Sequence, residues 1–234
     1  MAFPSDARNH YKAIKSEINL SIYNSQIENI FGKKTLEYIH LGGTKNKTDV
    51  KIIFIDGTEE NITLKSKKNI KSGSFDWVNT TCFCKEKFKN SFNIFNEYVG
   101  SNNPMNKILL EESIKNELQS ITNDDLTKIF INSVYNSFLK NNLKILIIDE
   151  KTKTIIPIKP KIFELLNNGF KLKILKGNGK TSSKVICENE NEEQINLGLR
   201  VRVHLNNGWT KWHKGQASVL CLKFQQDKVY KMLN

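Results

Sequence analysis

Apolar residues recur at helical spacing near the start of the chain. Tyr11, Ile14, Ile18 and Ile22 fall on one stripe and predict a helix over 9–31, continuous or interrupted. Three runs with strand character follow, Leu36–Leu41, Val50–Ile55 and Asn61–Ser66, and Asp56-Gly57 between the last two is a strong hairpin turn. Phe88, Phe92, Phe95 and Val99 return to helical spacing and predict an amphipathic helix over about 85–99. Two more helices are predicted over 109–121 and 124–140, the second capped by Thr122-Asn123-Asp124-Asp125. Leu143–Ile148 is a short apolar run suited to a buried strand, and a helix started by Pro160 ends at Gly169. From Lys171 the pattern is β in KLKILK, SKVICE, LRVRVHL and SVLCLKF, with the acidic 188–193 as a solvated tip.

The first half therefore spells helix, three strands, helix and a later buried strand. That α-β-β-β-α-β order predicts a mixed α/β sheet flanked by helices, with a strongly marked hairpin at its middle. A core over 1–170 carrying inserted helices, followed by a β-rich part over 171–234, is the predicted organisation within one compact domain.

Composition narrows the partners. The chain has 234 residues, Lys+Arg 36 against Asp+Glu 24, and a net charge of +12; its pI is near 9.4. This balance favours an anionic partner such as nucleic acid and excludes collagen, coiled coil and wholesale disorder. Arg8, Arg200 and Arg202 are the only arginines. A lysine bias with many Asn and Ile also fits AT-rich coding DNA, and against that background the retained arginines stand out. No apolar run approaches the ~20 residues of a membrane span, and the N-terminal residues lack the apolar core of a secretory signal. Cys82, Cys84, Cys187 and Cys221 form no CxxC pair, which predicts a reduced, cytoplasmic protein with free thiols and no zinc. His10, His40, His204 and His213 have no zinc-like spacing, and no P-loop, GxGxxG or GxSxG occurs.

The residues that carry chemistry lie on the marked hairpin. Asp49 opens one strand, and Thr63-Leu64-Lys65 lies on its neighbour, with Thr63 and Lys65 on one face because side chains alternate with period two. A turn at 56–58 brings Asp49 close to Lys65, so a carboxylate and an ammonium converge at one edge. A carboxylate with a backbone carbonyl, that of Leu64, can hold Mg²⁺, an oxygen-seeking ion that keeps several waters. The metal polarises a phosphate and lowers the pKa of a water. Lys65 can orient that water or neutralise charge developing on the phosphorane.

Lys47-Thr48-Asp49 followed by Thr63-Leu64-Lys65 resembles the motif of the PD-(D/E)XK nuclease superfamily, and more narrowly of its type II restriction endonucleases. Thr63 stands where that motif has an acidic residue; related enzymes also carry an amide there. Some members add a Glu from the first helix, for which Glu17 and Glu28 are the candidates. SKKNIKSGSFDW resembles the loop that approaches DNA in small four-base cutters. The tail from INLGLRVRVHL to SVLCLKFQQDK resembles their C-terminal β-hairpin. The resemblance implies Mg²⁺-dependent cleavage of double-stranded DNA at a short sequence, leaving 5′-phosphate and 3′-hydroxyl ends, by a homodimer or, as in some small relatives, a monomer.

Contacts to DNA have their own candidates. In LRVRVHL, Arg200, Arg202 and His204 share one strand face and Val201, Val203 and Leu205 the other. A row of cations over an apolar face suits a β-ribbon laid in a groove, where arginine is the commonest reader of guanine. After the Asn206-Asn207-Gly208 turn, Trp209 can stack and Lys211 and Lys214 can meet phosphates. Lys47, Lys67, Lys68, Lys71, Ser72 and Ser74 can clamp the backbone beside the scissile phosphate. Each of these has a plainer alternative as solvated charge or hairpin packing. Two rival functions remain open on sequence alone: a structure-specific or repair nuclease of the same fold, and a catalytically inactive DNA-binding protein.

Overall fold

The computed structural model describes residues 20–41, 48–67, 75–77, 86–101, 104–176, 179, 181–205 and 220–227. A 3₁₀ turn, Ser21–Tyr23, leads into helix α1, Asn24–Phe31. That tighter turn, with about 3.0 residues instead of 3.6, rotates the apolar stripe. Leu20, Tyr23 and Ile27 are buried, whereas Ile22, predicted on the inner stripe, is 68% exposed. Tyr11, Ile14 and Ile18 lie outside the described residues.

Three antiparallel strands follow: β1, Thr35–His40; β2, Val50–Phe54; and β3, Glu59–Lys67. The β2–β3 turn closes as its residues predict. Phe54 N donates to Thr58 O at 2.9 Å, Asp56 Oδ1 accepts the Thr58 N–H at 2.9 Å, and Gly57 supplies φ +78°.

The chain then forms the short strand β4, Phe75–Asp76, and the helices α2, Lys89–Ser101, α3, Pro104–Ser120, and α4, Asn123–Phe130. Thr122 caps α4, its Oγ1 accepting the Asp125 N–H at 3.1 Å. The helix predicted over 124–140 is interrupted by a π turn, Ile131–Tyr135, before α5, Asn136–Lys140. Within that turn the Ser133 hydroxyl donates to Ile129 O at 2.6 Å, competing for a main-chain acceptor four residues back.

Strand β5, Leu143–Asp149, lies parallel to β3, and β6, Thr154–Ile158, antiparallel to β5. Strand β6 was not predicted, and it carries Pro157, a residue that disfavours strands. It is tolerated because β6 is the last strand in the order β1-β2-β3-β5-β6. Helix α6, Lys161–Asn167, leads to β7, Lys171–Ile174, β8, Ser182–Glu188, β9, Gln194–Leu205, and β10, Leu220–Gln226. These form an antiparallel sheet ordered β4-β10-β9-β8-β7.

The protein is thus mixed α/β, in two compact units. Among the described residues, the first unit takes those up to Lys67 and those from Tyr135 to Pro160; the second takes the rest. The division does not fall near 170 as predicted. Helices α2 to α4 group with the C-terminal strands, because the chain leaves the first sheet after β3 and returns only at β5. A parallel neighbour requires such a long crossover. In the first unit, Val50, Ile52, Phe54, Ile62, Leu146, Ile148 and Ile155 form a core with Leu20, Tyr23 and Ile27. In the second, Leu172, Val185, Val201, Val203, Leu222 and Phe224 are buried. The Phe130 ring meets Phe224 edge-on at 4.9 Å and Trp77 at 5.8 Å.

Candidate functional site

Asp49 immediately precedes β2, and both its main-chain groups are tied. Its N–H donates to Ile62 O at 2.8 Å and its carbonyl accepts the Leu41 N–H at 3.1 Å. The β2–β3 ladder begins with Val50 opposite Ile62, yet β3 continues to Lys67. Beyond Ile62 the amides on that edge have no β2 backbone to meet. The Asp49 carboxylate fills the place, its Oδ2 accepting the Leu64 N–H at 2.9 Å. A side chain does here what the next strand residue would have done, and its oxygens acquire a fixed direction.

Alternation settles the faces. Val50, Ile52 and Ile62 turn into the α1 core, so Asp49, Thr63 and Lys65 share the opposite face. Extending the register by one step puts Thr63 directly across from Asp49, and Lys65 diagonal to it. Lys65 Nζ stands 3.9 Å from Asp49 Oδ2, close enough for ionic attraction and too far for a hydrogen bond. The pair is partly shielded, with side-chain exposures of 38% for Lys65 and 26% for Asp49. Thr63 is buried, and the β5 residues beside Thr63 and Lys65 are the buried Ile145 and Ile147. The predicted convergence of Asp49, Thr63 and Lys65 is therefore present.

The donor set suits a hard cation of modest demand. Oδ2 is engaged by the Leu64 N–H. The Leu64 carbonyl leaves β3 on the same side as its N–H, toward Asp49. One carboxylate oxygen and one carbonyl, completed by water and phosphate oxygens, is a set that Mg²⁺ accepts. Among the described residues no group of three or more His, Cys, Asp or Glu gathers. Asp49 is the carboxylate that the described residues bring to this strand end.

The structure separates Glu28 from this site. Glu28 ties α1 to β1, accepting the Thr35 N–H at 3.0 Å, Lys34 Nζ at 3.0 Å and Asn24 Nδ2 at 3.1 Å. The Thr35 hydrogen bond, followed by that from Lys34, holds its carboxyl below the usual carboxylate range. Thr35 pairs with Phe54, the far end of β2 from Asp49, roughly 17 Å away along the strand. The role proposed for Glu28 in catalysis is thus replaced by a structural one. Lys67 is half-buried in β3 opposite Asp149, whose Oδ1 accepts the Lys151 N–H at 3.0 Å. Glu17, Lys47, Lys68, Lys71, Ser72, Ser74, Trp209, Lys211 and Lys214 lie outside the described residues.

The arginines of β9 divide. Arg200 is held by Asp227, Nε to Oδ1 at 3.1 Å and a second guanidinium nitrogen to Oδ2 at 3.2 Å, and it also donates to Ser182 Oγ at 3.2 Å. Arg202 is partly exposed on the same face, and His204 is described only through its backbone. At Arg200 and Arg202 β9 is no free ribbon, since β8 and β10 flank it on both sides. Asp227 and Ser182 went unnoticed in the sequence, since nothing local links them to Arg200. Lys223 carried a legible signal, the alternation Leu222-Lys223-Phe224 in a strand.

The remaining chemistry is quiet. Cys187 is buried and free, and burial pushes its thiol up to about 11, so it is no ready nucleophile. Among the described residues no helix is long and apolar enough to cross a membrane. No protein-family model, no curated protein and no solved structure matches this chain.

Proposed function

We propose that this protein is a Mg²⁺-dependent endodeoxyribonuclease of the PD-(D/E)XK type, acting on double-stranded DNA as a type II restriction endonuclease. One observation carries the reading: at the start of β2, a carboxylate oriented by the Leu64 N–H sits 3.9 Å from the Lys65 ammonium, on the face turned away from the α1 core. The element order adds support. A helix, a three-strand meander and a helical crossover returning to a strand parallel to β3 is the arrangement expected of that fold. The net charge of +12 suits a polyanionic substrate.

In this reading Asp49 and the Leu64 carbonyl would hold the cation, which would supply charge to polarise the scissile phosphate and to acidify water. Lys65 orients the attacking water and offsets the negative charge that builds on the phosphorus oxygens. Its partial burial strengthens that interaction relative to a fully hydrated ammonium. Water adds to phosphorus as the P–O3′ bond breaks, leaving a 5′-phosphate and a 3′-hydroxyl. Two cuts in a duplex call for two such sites, which favours a homodimer.

Digestion of unmethylated phage DNA with Mg²⁺ tests the proposal, using wild type, Asp49→Asn and Lys65→Ala. Discrete fragments from wild type that disappear in both variants support it. A smear would replace it with a structure-specific or repair nuclease. A second reading, a catalytically inactive DNA-binding protein, is favoured by Thr63 in the acidic position. Intact DNA under every divalent ion, with a retained gel shift, would select that reading.

A further inference from the structure

We propose that the outer face of the second sheet is a phosphate-contacting platform for duplex DNA. Arg202, Lys223 and Lys184 touch the sugar-phosphate backbone there, and Arg200 is a positioning residue. The inference deepens the DNA reading above and rests on it for the choice of partner.

Strand register sets the platform out. Arg202 stands opposite Lys223 of β10 on one side and Ser182 of β8 on the other. One step along, Arg200 stands opposite Lys184 and Gln225. Directly opposed like charges weaken an antiparallel pair, so the Arg202–Lys223 juxtaposition opposes folding. Some other cations of this unit have carboxylate partners: Arg200 has Asp227, Lys173 has Glu188 at 2.6 Å, Lys171 has Asp124 at 3.0 Å and Lys87 has Asp125 at 2.7 Å. Among the described residues, Arg202, Lys223 and Lys184 have no carboxylate partner. Directly opposed cations with no carboxylate beside them are a local rule broken, and they point to a ligand that supplies the missing charge.

The platform is also rigid. Val201, Val203, Leu222 and Phe224 are buried on the opposite face, which fixes the strands that display the cations. Its breadth determines what it can meet. Three strands lie abreast at Arg202, so about 10 Å separates the outer strand axes before side chains are added. A major groove about 12 Å wide admits a helix or a two-stranded ribbon. A face of this breadth rests on the backbone instead. These residues therefore position the duplex without reading its sequence, which replaces the base-reading role anticipated for Arg200 and Arg202.

Equilibrium binding to two unrelated fluorescent duplexes, in EDTA and between about 50 and 200 mM salt, tests this without any need for cleavage. Arg202→Gln and Lys223→Gln should each lower the slope of log affinity against log salt by about 0.9, equally on both sequences. Neither should lower Tm. Lys223→Glu should raise Tm, by relieving the like-charge pair, while weakening binding further; a purely structural residue would not move the two in opposite directions. Arg200→Gln should lower Tm and keep the slope.

Unchanged slopes for Arg202→Gln and Lys223→Gln, or losses confined to one sequence, would overturn the platform. So would a wild type that fails to bind duplex. Wild type that binds with a steep, variant-sensitive slope yet never cleaves with Mg²⁺ would retain the platform and remove the nuclease reading. Cleavage with insensitive slopes would do the reverse.

Discussion

The two sheets hold their polar residues in different ways. In the first, Asp49 and Lys65 meet where pairing stops, at an edge that β3 extends past the start of β2. In the second, Arg200, Arg202, Lys184 and Lys223 lie across strands that are paired on both sides. A strand end offers a main-chain N–H of fixed direction, and the Leu64 N–H uses it to aim a carboxylate. Chemistry needs that precision, because reacting groups must be held within fractions of an ångström. A paired face has no main-chain donors to spare, but it spreads charge over an area, which matches a polyanion. Under the proposed function, the contrast separates where this protein would react from where it would hold.

Charge removal at the strand end should give the largest effect. Asp49→Asn keeps an acceptor for the Leu64 N–H but loses the negative charge, so cleavage should fall about 10²–10³-fold or more while Tm stays within about 2 °C. Asp49→Ala should lose the same activity and also about 1 kcal/mol of stability, because the Leu64 N–H is left unpaired. Fragment yield and thermal melts on the same preparations check both. Wild-type cleavage by Asp49→Asn would remove the strand end from the chemistry.

The next effect sharpens the claim that the second sheet is held by the face opposite its cations. Phe224→Ala removes a fully buried ring that meets Phe130 edge-on, and should cost about 3–5 kcal/mol in urea unfolding. Arg202→Gln should cost nothing measurable. Equal costs for the two would mean that the cationic face is structural.

Much of this was legible in the chain, for identifiable reasons. The β2–β3 hairpin announced itself because Asp-Gly at a tight turn is nearly a geometric requirement. Asp49 and Lys65 followed, since alternation and register translate a turn position into neighbours. β5 was readable as an apolar run because both its faces are covered. What failed was information that no short window contains. Glu28 is an ordinary helix carboxylate until the fold brings the Thr35 N–H to it. Arg200 looks equivalent to Arg202 until Asp227, far along the chain, arrives beside it. Ile22 has helical spacing in the sequence yet lies on the exposed side of a 3₁₀ turn.

Two smaller effects probe the far end of β2. Gly57→Ala must hold an alanine at φ +78° and should cost about 1–2 kcal/mol, with no neighbour within 4 Å to add a clash. An unchanged urea midpoint would mean that the turn relaxes without strain.

Asp56 gives the smallest effect and completes the contrast with Asp49. The two carboxylates bracket the same strand, but the oxygens of Asp56 are consumed locally. Oδ1 accepts from the Thr58 hydroxyl and N–H, and Oδ2 stands 3.1 Å from Lys33 Nζ. These contacts, the Thr58 hydroxyl first, hold its carboxyl down to about 2. Its folded value lies below the unfolded one of about 3.9, so the charged form favours the fold. That contribution is complete above about pH 4 and is lost as pH falls toward 2. The group is exposed, so solvent screening keeps the effect small. Urea midpoints of wild type and Asp56→Asn should therefore differ slightly at pH 6 and converge at pH 2. A difference that stays constant over that range would show that the turn is held by Gly57 and the backbone alone, with no electrostatic share for Asp56.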